Sequence, residues 1–230
     1  MSNYWEYNGT IHIKESPLRG LTGMGGGSVL SGAKSSSGAA PFSCDTSTAG
    51  YCSAQSYSFP GSQTVGTQVF DSGTPGPAFS SMPRFTIQWD VWIDATANSN
   101  NWHMQATPGW NSSEGILIGI YATWKVAIAG PQLGGYGFQA NDDLPSGAWR
   151  RIKYQFGVSG NGAIGGQALF YSSDGGATFT SQGTHNTHNQ PTVTWNQGIW
   201  AGAGRQTSGS TWSEPFAGDV RNLELWDTIV

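Results

Sequence analysis

Charge is scarce in this chain. Among 230 residues there are 10 Lys and Arg against 14 Asp and Glu, giving a formal net charge of −4, and only 10% of residues are charged. An ordinary soluble domain has about a quarter. So few cations cannot coat a phosphate backbone, which excludes nucleic acid as a partner. Long apolar runs are missing too: no stretch approaches ~18 consecutive apolar residues, so no helix is expected to insert into a membrane. The opening Met1-Ser2-Asn3-Tyr4-Trp5-Glu6 lacks a basic region followed by an apolar one, and the expectation is a protein without a secretory signal.

Cysteine is limited to Cys44 and Cys52. With no further Cys or His close by, a structural metal site lacks donors. The pair is either two unrelated thiols or a local disulfide. A bridge would contribute about 2–3 kcal/mol on chain-entropy grounds and would place the protein outside a reducing cytosol. A particle assembled in a cell and released by lysis needs no export signal and still meets that condition.

What is present is glycine and aromatic side chain: 34 Gly, 11 Trp, 8 Tyr and 10 Phe. Rings in that number bury enough area to offset chain entropy, which excludes wholesale disorder. Residues 1–53 read as an arm or linker with a docking role. In it, Tyr4-Trp5-Glu6-Tyr7 and Ile11-His12-Ile13 form candidate strands, and Gly/Ser-rich stretches follow at residues 20–28 and 35–41.

Residues 54–230 read as one β-sandwich. Phe85, Ile87, Trp89, Val91 and Ile93 alternate onto one face of a strand. Ile152, Tyr154, Phe156 and Val158 do the same, opposite Arg151, Lys153 and Gln155. Period-two alternation of this length marks half-buried strands. The apolar run 115–122 suits a central strand. Further strands are expected at 102–106, 124–129, 167–172, 178–183, 199–203 and 220–226. Turn signals divide them at Pro60-Gly61, Gly73-Thr74-Pro75-Gly76, Gly134-Gly135, Pro145-Ser146-Gly147 and Gly175-Gly176. No segment shows a sustained helical period, so the fold class is all-β, an antiparallel β-sandwich.

Two resemblances follow from particular residues. Ser172-Ser173-Asp174-Gly175-Gly176-Ala177-Thr178-Phe179 resembles the Asp-box of sialidases and related β-proteins, with Ser172, Asp174, Gly176, Thr178 and Phe179 on the motif. One copy implies a well-formed hairpin rather than a sialidase propeller. Second, Tyr57-Ser58-Phe59-Pro60-Gly61, Phe85–Ile93, Gly147–Ile152 and Phe216–Asp227 follow in the order of the concanavalin A-like, laminin-G-like jelly roll, which the chain resembles over residues 55–230. Jelly rolls with a hairpin like Leu169–Gly176 are similar to domains of actinobacteriophage minor tail proteins. That likeness implies a virion protein, consistent with the absent signal, the Gly-rich arm and the cysteine pair.

The chemistry on this scaffold is sparse. Retaining glycosidases need two carboxylates about 5–5.5 Å apart, and the Glu-x-Asp-x-x-Glu pattern of jelly-roll glucanases is absent. Glu114 and Glu214 sit beside turn-forming residues and read as solvated loop carboxylates. Trp92 beside Gln88, near Asp90, is either a sugar platform or covered by another layer. Trp102 and Trp124 are further platforms. Trp110 and Trp212, in polar loop contexts, are the favoured glycan or partner contacts. His185 and His188 lack a nearby carboxylate and read as a polar loop. Asn141-Asp142-Asp143 resembles a calcium loop in composition, and the laminin-G-like likeness implies calcium, yet one acidic doublet supplies too few ligands. Arg150, Arg151 and Lys153 read as a solvated face.

The function expected from these residues is a non-enzymatic phage virion component, a minor tail or capsid-surface protein located in the virion and without a cofactor. Its arm would dock on other virion proteins, its loops would meet partner proteins or host glycans, and it would be oligomeric in the particle. The alternatives are a glycosidase or polysaccharide lyase on the same fold, and a free-standing lectin.

Overall fold

In the computed structural model, the described residues are 4–7, 10–13, 50–62, 67–70, 81–82, 84–94, 101–106, 116–121, 125–130, 135–158, 166–185, 193–194, 199–207 and 211–230. The strands are β1 (Tyr4–Tyr7), β2 (Thr10–Ile13), β3 (Tyr51–Pro60), β4 (Thr67–Phe70), β5 (Ser81–Met82) and β6 (Phe85–Ile93). Next come β7 (Asn101–Ala106), β8 (Ile116–Tyr121), β9 (Lys125–Gly130), β10 (Gly135–Asp143), β11 (Trp149–Val158) and β12 (Gly166–Ser172). The last are β13 (Thr180–His185), β14 (Val193–Thr194), β15 (Ile199–Ala201), β16 (Ala203–Thr207), β17 (Thr211–Pro215) and β18 (Ala217–Trp226). Among the described residues there is no helix.

Residues 1–34 and 35–230 are separate compact units. In the first, β1 and β2 pair antiparallel from Tyr4 against Ile13 to Tyr7 against Thr10. In the second, one six-stranded sheet has the order β13-β12-β11-β6-β18-β3 and another the order β10-β9-β8-β7-β15-β4. Two short ladders, β5–β14 and β16–β17, complete the pairing. Every recorded pairing is antiparallel.

The two sheets share one core, which makes the architecture a β-sandwich. Phe85, Trp89, Ile152, Tyr154 and Leu169 come from the first sheet, and Ile118, Val126, Ile128 and Ile199 from the second. The alternation of β6 and β11 is the cause: their inward residues are sealed, and the register sets Phe85 opposite Phe156 and Trp89 opposite Ile152. Phe85 and Phe156 stack with centroids 5.3 Å apart, and Tyr154 meets Phe85 edge-on at 5.8 Å. Such pairs add about 0.5–1.5 kcal/mol each beyond area burial.

Several expected boundaries shift for local reasons. β3 begins at Tyr51, so Cys52 and Ser53 pair with Glu224 and Leu223 in the sheet. The strand expected at 199–203 is two, β15 and β16, parted at Gly202 with φ +87°. A Cβ there would lie 2.1 Å from the Phe59 ring. β13 starts at Thr180 rather than Thr178 because Thr178 is committed to the preceding turn. Gly135, expected in a turn, opens β10, and β10 takes in the Asn141-Asp142-Asp143 stretch read as a loop. The turns at Gly61, Gly147 and Gly175-Gly176 all use positive φ.

The outer face of the first sheet is not the solvated face expected of Arg150, Arg151 and Lys153. Arg151 is 4% exposed and ion-paired to Asp90 at 2.8 Å and to Glu224. Its Nε donates to Gln88 Oε1 at 3.0 Å, and Asn222 Nδ2 donates to Asp90 Oδ2 at 2.6 Å. A bulge in β18 makes this possible: Arg221 faces Asp90, but three residues later Glu224 faces Gln88, only two residues along β6. Asn222 absorbs the extra residue at φ +55°. Side chains therefore alternate from Val220 inward to Arg221 outward, then resume with Leu223 inward and Glu224 outward.

Candidate functional site

At the margin of the sandwich, the end of β10, the β10–β11 connection and the β12–β13 hairpin enclose an open depression of about 330 Å³. Its lining is Asp142, Asp143, Pro145, Arg150, Tyr171, Ser172, Ser173, Thr180 and Gln182. Each wall is fixed by a separate local device.

The hairpin wall is the Asp-box. Ser172 Oγ donates to Asp174 Oδ1 at 2.6 Å and accepts the Gly176 N–H at 2.8 Å. Asp174 also accepts the Thr178 N–H at 3.0 Å and the Thr178 hydroxyl at 2.6 Å. These donors, the Ser172 hydroxyl foremost, hold the Asp174 carboxyl far below the usual carboxylate range. The turn rests on β11: a Cβ added at Gly176 would lie 2.7 Å from Arg151 Cδ. The Lys153 ammonium sits 4.3 Å from the Phe179 ring centre and 4.9 Å from that of Phe170, and burial lowers its pKa.

The β13 wall carries a bulge. Leu169 faces Gly183 while Phe170 faces Ser181, so Gln182 is the extra residue. It turns toward β10, where its Oε1 accepts the Asp142 N–H at 3.0 Å and its Nε2 donates to Asp142 Oδ2 at 3.1 Å. Gly183 follows at φ +119°, a conformation that favours glycine. The base is Tyr171, whose phenol oxygen accepts the Val126 N–H at 3.1 Å across the sandwich. That amide lies where β10 leaves the β9 ladder between Gln139 and Asp143. Burial, reinforced by the charges of Asp142 and Asp143, pushes the Tyr171 phenol well above its ordinary range.

The other sequence candidates scatter. Gln88 is buried with its oxygen committed to Arg151, so it is not an open amide beside Trp92. Trp92 is half-buried and meets Trp149 edge-on at 5.9 Å, and Trp149 is capped by the Arg221 guanidinium at 3.7 Å. Trp212, expected in a loop, lies in β17 opposite Gln206, where its Thr-Trp-Ser setting suits a strand. Glu214 lies in the same strand. Trp102 lies in β7, and His185 ends β13. Trp110, Trp124, Glu114 and His188 lie outside the described residues. Cys52 is disulfide-bonded, and Cys44 lies outside the described residues.

Asp142 and Asp143 are exposed, and Asp142 is engaged by Gln182. Among the described residues no three His, Cys, Asp or Glu side chains come together as a metal site requires. Sequence reasoning missed Arg150, Thr180 and Gln182 as wall residues. The bulge at Gln182 breaks the two-residue period of β13, so no alternation in the sequence joins Gln182 to Asp142.

No protein family and no curated protein matches this chain. Solved structures do. A carbohydrate-binding module (CBM40) of the Ruminococcus gnavus IT-sialidase, bound to α2,3-sialyllactose, superposes with a TM-score of 0.55 at 13% identity, over 77% of this chain and 94% of that one. The native heptameric SAP-like pentraxin of Limulus polyphemus gives 0.51 at 14% identity over 76% of each chain. The LG1–3 region of the laminin α2 chain gives 0.51 at 13% identity, over 77% of this chain and 32% of that one. The fold is a concanavalin A-like, laminin-G-like jelly roll.

Proposed function

We propose that the sandwich is a non-catalytic, lectin-like domain that binds a saccharide in the depression between the Asp-box and the end of β10. One observation carries the reading. Hydroxyl, carboxylate and guanidinium groups from three chain segments converge on a single open surface, and hydrogen bonds lock two of its walls in place. A preorganised set of donors and acceptors suits a ligand rich in hydroxyls. The likeness to a module whose structure holds sialyllactose supports the same reading.

Binding without turnover is part of the proposal. Asp90 and Glu224 are spent on Arg151, Asp142 is tied to Gln182, and Asp174 holds the turn. Turnover of a plant, algal or mycobacterial polysaccharide, lost on Glu114→Gln or Glu214→Gln, would replace this reading with the enzymatic one.

The direct test is a glycan array followed by titration calorimetry. Arg150→Ala and Thr180→Ala should each weaken binding about tenfold, the cost of one charged or well-placed hydrogen bond, while leaving the unfolding transition intact. Binding untouched by these changes but lost in Trp92→Ala would move the site to the outer face of the first sheet.

The finer reading sets this domain on a phage virion, its arm bound to neighbouring subunits and its depression turned toward host glycans. Support comes from the likeness of Leu169–Gly176 to minor tail proteins, the Gly/Ser-rich arm and the disulfide at Cys52. Co-sedimentation with intact particles tests it.

A further inference from the structure

The depression has an unbalanced charge. Asp142 and Asp143 stand exposed in its wall, and among the described residues Arg150 is the one cation lining it. Two carboxylates against one guanidinium leave an excess of one negative charge. Neighbouring charges do not correct this. Arg151 is buried and paired with Asp90 and Glu224. Lys125, which faces Asp143 in the register and donates to the Asn141 carbonyl at 2.6 Å, is matched in number by the Asp174 carboxylate next to Ser172 and Ser173 on the lining, so the count stays one negative charge in excess. Asp142 is also fixed in direction, since Gln182 grips both its backbone N–H and its Oδ2.

Resting on the reading of this depression as a saccharide site, we infer that it accepts neutral or amine-bearing sugars and rejects acidic ones. An acidic sugar would bring its carboxylate against Asp142 and Asp143, with Arg150 alone to oppose the repulsion. A neutral sugar needs only hydrogen-bond partners, which Ser173, Thr180 and Arg150 supply. An ammonium group would gain charge-assisted bonds to the two carboxylates. In this respect the chain parts company with the fold neighbour whose structure holds sialyllactose.

The test is an array of neutral, amino and acidic glycans, followed by calorimetry on pairs that differ in charge. Suitable pairs are oligogalacturonate against its methyl ester, and glucosamine oligomers against their N-acetylated forms. The methyl ester in the first pair and the free amine in the second should bind about tenfold tighter at low ionic strength, with the gap closing near 0.5 M salt. The double change Asp142→Asn, Asp143→Asn should erase the gap. Asp142→Asn keeps an oxygen for Gln182, and Asp143→Asn alone should halve the gap on a logarithmic scale. Acidic glycans as the preferred hits, or a preference that survives both substitutions, would overturn the inference and leave the saccharide site standing. An array without hits would overturn the reading beneath it.

Discussion

With Arg221 Nε at 3.4 Å and the Asn222 amide still on Asp90, removing the Arg151 side chain would take the shared cation from Asp90 and Glu224 in one nearly dry pocket. Their side chains are only 11% and 13% exposed. Breaking a buried pair in this way costs about 3–5 kcal/mol, because the charge left behind has lost both water and partner. Because Asp90 keeps Arg221, Arg151→Ala is expected to lower stability by about 3 kcal/mol, the lower end of that range, in chemical denaturation. Arg151→Lys should recover only part of it, since an ammonium cannot span Gln88, Asp90 and Glu224 at once. A loss below about 1 kcal/mol would mean that the network is better hydrated than its burial implies. The sequence shows why Arg151 leaves the core, as it alternates with Ile152 and Tyr154. It does not show that the turn at Gly176 folds back over it, because that contact joins residues from different strands.

At the scale of the element, the Asp-box is a turn whose stability depends on one ionised group. The folded-state pKa of Asp174 is depressed, so its stabilisation is complete above the ordinary carboxylate value of 3.8. It declines as pH falls below that value toward the folded-state one. Amide exchange at Thr178, corrected for intrinsic rates, should stay flat from pH 7 to about 4 and quicken only in stronger acid. Asp174→Ala should quicken it roughly tenfold between pH 7 and about 4, with the difference narrowing in stronger acid, since the amide lacks its acceptor. Unchanged exchange in that variant would show that the turn is held by packing on Arg151 and Phe179 alone. This element was legible because all its bonds lie within eight residues, from Ser172 to Phe179. The opposite wall was not, because the contact of Gln182 with Asp142 spans 40 positions and depends on a bulge.

For the whole molecule, the long alternating strands β6 and β11 were plain in the sequence, and from them the two-layer class. Short strands such as β4, β5 and β14 were not, being too brief and polar to show a period. The division at Lys34 also changes how the arm should be tested. Deleting residues 1–53 would strip Tyr51–Ser53 from β3 and remove both cysteines. Deleting 1–34 should leave the melting temperature of the sandwich unchanged and abolish co-sedimentation with particles; normal incorporation would remove the docking role from the arm.

The irregularity at Asn222 has a sharper meaning for how this protein tolerates change. The two halves of β18 are written in different phases, and one amino acid joins them. Were that amino acid deleted, Arg221 would adjoin Leu223 and the outward-inward order would run on unbroken, with Glu224 still opposite Gln88 and Leu225 still in the core. A single-codon loss inside a core strand usually turns its far half inside out; here the same small event would spare the layering and cost the contacts that Asn222 makes with Asp90 and Arg151.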